Sequence, residues 1–197
     1  MADPKIPTDQ FRSEEFLICG GSILFQDLPP PSSSFDASKS LHICLLRHTI
    51  RNEWLLPKGR KDRDENVSVT AVRETYEETG YPCKLLPITL DTRAPEAFAQ
   101  TKDRVESVEE SREPFMMTLR RVTERNVKLI WWFVSIKTGE LQPGTQTVVE
   151  SYESEFVAVE DALKMATFQS DRDVIQRAVD IVCKTYYNKH PDVQQLA

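Results

Sequence analysis

Between Gly59 and Tyr81 the chain places Glu65, then Arg73-Glu74, then Glu77-Glu78, and closes with Gly80 before Pro82. An α-helix turns about 100° per residue, so Glu74 and Glu78 stand about 40° apart with Glu77 beside them. The three acids share a face. Counted from Val72, the residues Val69 and Tyr76 fall within about 60°, whereas Glu74 falls about 200° away. The expected helix therefore turns an apolar side to a core and an acidic side elsewhere. Asp64, Glu65 or Asn66 can start it with a side-chain oxygen on free N–H groups; Gly80 ends it and Pro82 prevents continuation.

Like charges at helical spacing repel by about a few tenths of a kcal/mol per pair, so so tight a cluster is better explained by a cation than by helix stability. Carboxylate oxygens are hard ligands, fitting magnesium, manganese or calcium. For three glutamates alone, the alternative is a solvated face with Arg73 and Glu77 paired at i, i+4. Two other motifs fail. Asp62, Asp64 and Asn66 open like a calcium loop, but Val67 stands at the sharp-turn glycine and Arg73 at the bidentate glutamate. Asn66-Val67-Ser68 is a formal glycosylation sequon in a chain without a secretory signal.

The full spacing decides against the solvated face. Gly59, five residues, Glu65, seven residues, Arg73-Glu74, two residues, Glu77-Glu78, one residue, Gly80 and Tyr81 resembles the Nudix box of the Nudix hydrolases, with every Gly, Glu and Arg present. The departures are Thr75, at a usually aliphatic position, and Tyr81 at the closing apolar one. The resemblance implies an α/β fold, an α/β/α sandwich with a mixed central sheet. It implies that Glu74 and Glu78 are the main ligands of Mg2+ or Mn2+, that Glu77 assists and that the Gly59 carbonyl coordinates, while Glu65 and Arg73 orient the cluster. The residues from Trp54 to Lys58 read as a short strand ended by proline. Gly59 lets the backbone approach a metal or phosphate, and residues 60–65 form a charged loop.

With 197 residues and 40% hydrophobic content, one domain with a sizeable core is expected, and no apolar stretch is long enough to span a bilayer. We expect a flexible N-terminal segment at 1–15 and a single domain at 16–190. Within it, a flexible Pro- and Ser-rich loop occupies 26–40 and a charged insertion about 93–125. Cys19, Cys44, Cys83 and Cys183 contain no CxxC pair, so reduced core thiols are expected, and a cytoplasmic or nuclear setting with them. A net charge of -6 argues against non-specific nucleic-acid binding.

Strands are expected at Phe16 to Phe25, Leu41 to His48, Lys84 to Leu90, Val127 to Ile136 and Glu155 to Val159. The Val127 run is the most apolar and belongs at the sheet centre. Helices follow at about 160–167 and 171–187, the second carrying Val174, Ile175, Ala178, Val179 and Val182 on one face. Gly20-Gly21 reads as close packing rather than a phosphate contact. Trp131 and Trp132 point to opposite faces, one of them to the core, and no nucleophile partner is evident for His42, His48 or His190.

Arginine meets phosphate oxygens bidentately and lysine supplies a point charge. Lys58, Arg60, Lys61 and Arg63 beside the box are therefore the expected substrate-binding cations. Arg93, Lys102, Arg104, Arg112, Arg120, Arg121 and Arg125 of the insertion read mainly as a solvated surface. The expected reaction is metal-dependent hydrolysis of a phosphoanhydride, with water activated by the ion and its proton taken by a carboxylate, and with activity rising as the crowded acids deprotonate. The base is left among Glu74, Glu77 and, outside the box, Glu150 or Glu153. Leu56-Pro57-Lys58-Gly59 resembles the diphosphoinositol polyphosphate and diadenosine polyphosphate phosphohydrolases, which implies those small polyanions as substrates. The alternatives are messenger-RNA decapping, which keeps capped RNA open as a partner, a nucleotide-sugar pyrophosphatase, and a non-catalytic ligand-binding module. Oligomeric state is not encoded in these patterns.

Overall fold

The computed structural model describes residues 7–32, 34–98, 103–147 and 151–187. The elements are β1 (Phe16–Phe25), α1 (Ala37–Ser40), β2 (His42–His48), β3 (Glu53–Leu55), β4 (Lys58–Arg60), α2 (Val67–Thr79), β5 (Cys83–Leu85) and β6 (Ile88–Thr92). They continue with β7 (Glu106–Ser111), β8 (Met116–Arg121), β9 (Val127–Lys137), β10 (Tyr152–Ala158), α3 (Val159–Met165), α4 (Gln169–Val182) and a π-helical turn over Cys183–Tyr187. Glu150, Lys102 and His190 lie outside the described residues.

The main sheet is mixed. Its order is β10-β2-β1-β9-β5, with β3 on β2, β4 on β1 and β8 on β9; β1 and β9 run parallel and the other pairs antiparallel. The apolar run of β9 is central as expected, because the middle of a strand flanked on both sides and covered on both faces takes apolar side chains, with Lys128 and Lys137 left to its ends.

Side chains alternate across β1, and the two layers follow from that alternation. Ser22 faces α2, where its hydroxyl bonds Thr75. Cys19, Ile23 and Phe25 face the other way, into a core with Ile130, Trp132, Val134 and the apolar stripe of α4. That stripe is the expected Val174, Ile175, Ala178, Val179 and Val182, all buried; burying each large member stabilises by about 1.5–3 kcal/mol. Trp132 is buried and its indole N–H donates to Thr118, while Trp131 is half-buried on the opposite face. The α/β/α layering of the sequence reading is therefore present.

The seating of α2 differs from expectation. Its buried residues are Thr70, Ala71, Glu74, Thr75, Glu78 and Thr79, whereas Val69 is 53% exposed. Small side chains, not the Val69–Val72–Tyr76 stripe, face the sheet. The reason is proximity: a Cβ on Gly20 would lie 2.7 Å from the Val67 carbonyl oxygen and 2.8 Å from the Ala71 nitrogen. The helix lies almost on the β1 backbone, so the Gly20-Gly21 pair marks close packing as expected. Thr75 occupies this interface as a hydrogen-bonding residue, since Ser22 Oγ links it at 2.7 Å and Ser135 at 2.6 Å.

Other boundaries shift for local reasons. Lys84 to Leu90 divides into β5, on the main sheet, and β6, in a separate two-stranded sheet with β7. Pro87 stands at the break, with no N–H to give a ladder. The 93–125 insertion supplies β7 and β8 as well as surface. The 26–40 segment carries α1, capped by Asp36, and packs Leu28 and Phe35 on the core, Phe35 stacking on Tyr187 with centroids 3.9 Å apart. Cys19, Cys44, Cys83 and Cys183 are all free thiols, and burial pushes each of the first three above its ordinary pKa.

Candidate active site

The strand expected over Trp54 to Lys58 is two strands, β3 and β4, and the second continues through Gly59 to Arg60, where the charged loop was expected to begin. Lys58, Gly59 and Arg60 form β4 and pair with Gly21, Gly20 and Cys19 of β1, which fixes the backbone entering the site. Glu65 then gathers the loop. Its Oε2 accepts from the Asp62 N–H at 3.1 Å, the Thr70 hydroxyl at 2.7 Å and Arg73 at 3.0 Å, while Oε1 accepts from Arg73 Nε at 2.8 Å. These donors, Arg73 first, outweigh the cost of burial and hold the Glu65 carboxyl down at about 2. Asn66 occupies the N-cap position without a side-chain bond to the helix.

Arg73 is the second hub. Besides Glu65 it reaches Glu74 Oε1 at 2.8 Å, Glu77 Oε2 at 2.9 Å and the Arg60 carbonyl at 3.0 Å. One guanidinium, its own pKa raised chiefly by Glu65, thus fastens the loop and neutralises part of the acidic cluster. Glu74 and Glu78 are buried, 8% and 4% exposed. Glu78 Oε2 accepts from the Lys58 N–H at 2.7 Å. Glu74 lies against Gly59 so closely that a Cβ there would sit 1.8 Å from its Oε2. Only glycine fits.

Glycine at 59 therefore places a carboxylate and a backbone of oxygen donors in one small space, as a hard cation requires. Among the described residues no three His, Cys, Asp or Glu side chains close around one point, because Glu74 and Glu77 turn toward Arg73 and Glu78 toward β4. The donor chemistry fits a divalent ion; the closed cage is not formed.

The far end of α2 is tied down from outside the box. Thr145 Oγ1 donates to the Glu77 carbonyl at 2.8 Å, Gln146 Nε2 to that of Glu78 at 3.0 Å and Ser154 Oγ to that of Thr79 at 2.8 Å. The Gln142 N–H donates to Gly80 O at 2.8 Å. The carbonyls a helix leaves unpaired at its C-terminus are thus satisfied by residues 142–146 and by Ser154 of β10.

The acids open on a cavity of about 610 Å³. Of the four box-adjacent cations, Lys58 and Arg60 line it. Lys61 and Arg63 do not: Lys61 folds onto the Asp62 carbonyl at 2.8 Å, and Arg63 is exposed on the loop. In their place stand Arg51, Arg120 and Lys128. Arg120 and Lys128 are cross-strand partners on β8 and β9, and Lys128 neighbours Leu17 of β1. Among the described residues, Lys58, Arg60, Arg120 and Lys128 make no salt bridge, whereas Arg93, Arg104 and Arg121 of the insertion pair with Asp103, Glu106 and Asp9. Glu153 does not line the cavity and lies 3.8 Å from Arg47. Phe168 and Asp171, at the start of α4, line the cavity without having been singled out by any motif. Burial raises the Asp171 pKa against the pull of Lys58 and Arg120 and the Leu56 N–H that donates to it.

A family model described as the NUDIX domain matches residues 35–178, well over half of the chain. The chain belongs to the Nudix family. This chain is a hydrolase acting on pyrophosphate bonds. Nudix hydrolases generally use divalent metal ions. It is 25% identical over 135 residues to the asymmetrical bis(5'-nucleosyl)-tetraphosphatase of Mus musculus, covering 68% of this chain and 75% of that one. An 8-oxo-(d)GTP phosphatase of Mycolicibacterium smegmatis is 27% identical over 74 residues, 38% of this chain and only 23% of the mycobacterial protein. Among solved structures, the Ap4A hydrolase of C. elegans superposes with a TM-score of 0.52 at 16% identity, over 82% of this Nudix chain and 95% of the other. A NUDIX hydrolase from Nitrosomonas europaea gives 0.50 at 12% identity, over 92% and 97%. These two likenesses establish the Nudix fold.

Proposed function

We propose that this Nudix hydrolase uses Mg2+ or Mn2+ to cleave a phosphoanhydride bond in a small polyphosphorylated metabolite, with dinucleoside polyphosphates as its first substrate class. The observation that carries this reading is a set of cations, Lys58, Arg60, Arg120 and Lys128, that make no salt bridge among the described residues and line the same cavity as Glu74, Glu77 and Glu78. Cations left out of salt bridges on a cleft wall attract a polyanion and leave their donors available to its phosphate oxygens. The relatives named bis(5'-nucleosyl)-tetraphosphatase support the dinucleoside class. The density of cations equally suits diphosphoinositol polyphosphates, which form the second reading.

In the mechanism, Glu74, Glu78 and the Gly59 carbonyl would hold the ion, with Glu77 assisting. A divalent ion held there neutralises phosphoanhydride charge and acidifies a water. Arg73 and Glu65 keep the acids aimed, and the ladder of β4 against β1 keeps Gly59 in place. Lys58, Arg60, Arg120 and Lys128 bind the phosphate chain and stabilise the charge that develops on the leaving phosphate. A box carboxylate, Glu77 being the least enclosed, accepts the water's proton.

The test is product analysis with Mg2+ or Mn2+ on a panel of dinucleoside polyphosphates, diphosphoinositol polyphosphates, nucleotide sugars, nucleoside triphosphates and capped RNA. Preferential turnover of a dinucleoside polyphosphate, abolished by chelator, is expected. Equal rates on all would overturn the substrate class, and chelator-resistant turnover the metal dependence.

A further inference from the structure

The cavity extends beyond the cations to the start of α4, where two side chains contribute nothing to binding phosphate. Phe168 precedes α4 on a pinned backbone: its carbonyl accepts from the N–H groups of Asp171 at 3.1 Å and Arg172 at 3.2 Å. Its neighbour Thr167 exchanges two hydrogen bonds with Trp54, at 2.8 and 3.0 Å. The backbone is fixed, yet the ring is 41% exposed and lines the cavity. Tyr152, the other aromatic ring lining it, already stands edge-on to His48 with centroids 5.4 Å apart. A ring held on a fixed backbone at the wall of a polar cleft presents a face on which a planar ligand group can stack.

Three residues on, Asp171 is 5% exposed and lines the same cavity. A carboxylate repels phosphate, so its place beside Lys58 and Arg120 does not serve the polyanion. It does offer an acceptor to N–H donors. Aromatic face and acceptor edge, three residues apart at one corner of a cation-lined cleft, match the two recognition surfaces of a nucleobase.

We propose that Phe168 and Asp171 form a nucleobase subsite: the base stacks on the Phe168 ring and its N–H edge donates to Asp171, while the attached phosphates run along Lys58, Arg120 and Lys128 toward the box. The subsite rests on the hydrolase reading for its kinetic test, and it separates nucleotide from inositol substrates by chemistry rather than by charge.

The experiment compares diadenosine tetraphosphate as substrate with inorganic tetraphosphate as a base-free competitive inhibitor, using the full chain with Mg2+. Phe168→Ala should raise KM for the dinucleotide about ten-fold with kcat within about two-fold, leave the inhibition constant of tetraphosphate unchanged, and be rescued by Phe168→Trp. Asp171→Asn keeps an acceptor for the Leu56 N–H and should raise KM several-fold, again without weakening tetraphosphate. An unchanged KM in Phe168→Ala, or equal losses for both ligands, overturns the subsite. If the wild-type chain does not cleave the dinucleotide, the hydrolase assignment of that substrate fails separately. Calorimetric binding of ADP against pyrophosphate then decides the subsite: an affinity advantage for ADP that disappears in Phe168→Ala upholds it, and no advantage rejects it.

Discussion

The carboxylate wall of the cleft comes from one helix and the loop before it, whereas the cationic wall is gathered from β4, β8 and β9. The first is internally braced: Arg73 joins Glu65, Glu74 and Glu77 within a single stretch of chain. The second has no internal bracing, because like charges such as Arg120 and Lys128 face each other across a strand pair and are held there only by the sheet. A locally braced wall can be aimed accurately enough for chemistry, while a wall assembled by the fold can vary its charges without disturbing that aim. The difference separates reaction from selection: changes on the first wall should act on kcat, and changes on the second on KM.

The sharpest way to break this division is Glu78→Gln. The amide is nearly isosteric and still accepts from the Lys58 N–H, so the fold should persist with an unchanged melting transition. Loss of the charge should lower kcat by roughly three orders of magnitude, in keeping with the several kcal/mol a bound ion contributes to transition-state stabilisation. Steady-state kinetics beside a circular-dichroism melt checks both halves, and activity within about ten-fold of wild type would refute the assignment.

Bracing has a pH signature. Glu65 is held at about 2 in the folded protein, below its ordinary 4.5. A carboxyl with a depressed folded pKa contributes stability that is fully present above its unfolded value and is lost as pH falls through the folded one. The Glu65–Arg73 contribution, about 1–3 kcal/mol, should therefore be complete at pH 5 and fade from about 4.5 down to 2. Glu65→Gln should lose that stability at pH 7 and show a shallower acid limb in urea denaturation. Parallel limbs for the two proteins would place the bracing elsewhere.

How much of each wall could be read beforehand follows from the same contrast. Spacing along one helix carries Glu74, Glu77, Glu78 and Arg73, because their neighbours in space are their neighbours in sequence. Val69 and Tyr76 do not mark the buried face of that helix. The sheet approaches at glycine distance and accepts Thr75 and Ala71 instead, a constraint that resides in Gly20 some fifty residues away. Lys128 was hidden in an apolar run, although it is the one charge ahead of Ile130 and Trp132 on the same alternating face. Arg120 was indistinguishable from its insertion neighbours until strand pairing set it opposite Lys128. Phe168 and Asp171 carried no motif. Long-range register, not local pattern, assembled them.

Arg120→Gln and Lys128→Gln test the second wall directly. Each should raise KM for the polyphosphate substrate about five- to ten-fold with kcat preserved, and the penalty should shrink in high salt as screening weakens the attraction in the wild type as well. A kcat loss without a KM change, measured over a salt series, would move these residues onto the first wall.

The smallest effect is as informative as the largest. Arg63 and Lys61 belong to the box region by sequence and to neither wall by structure, Arg63 being exposed and Lys61 folded onto Asp62. If proximity to the motif along the chain governed binding, Arg63→Ala would weaken substrate as much as Lys128→Gln. If the walls are as the fold assembles them, Arg63→Ala and Lys61→Ala should each stay within about two-fold of wild type in kcat/KM, the range expected for an exposed charge separated from the ligand by solvent. A parallel measurement of the two alanine variants and Lys128→Gln in one buffer decides between adjacency in sequence and adjacency in space.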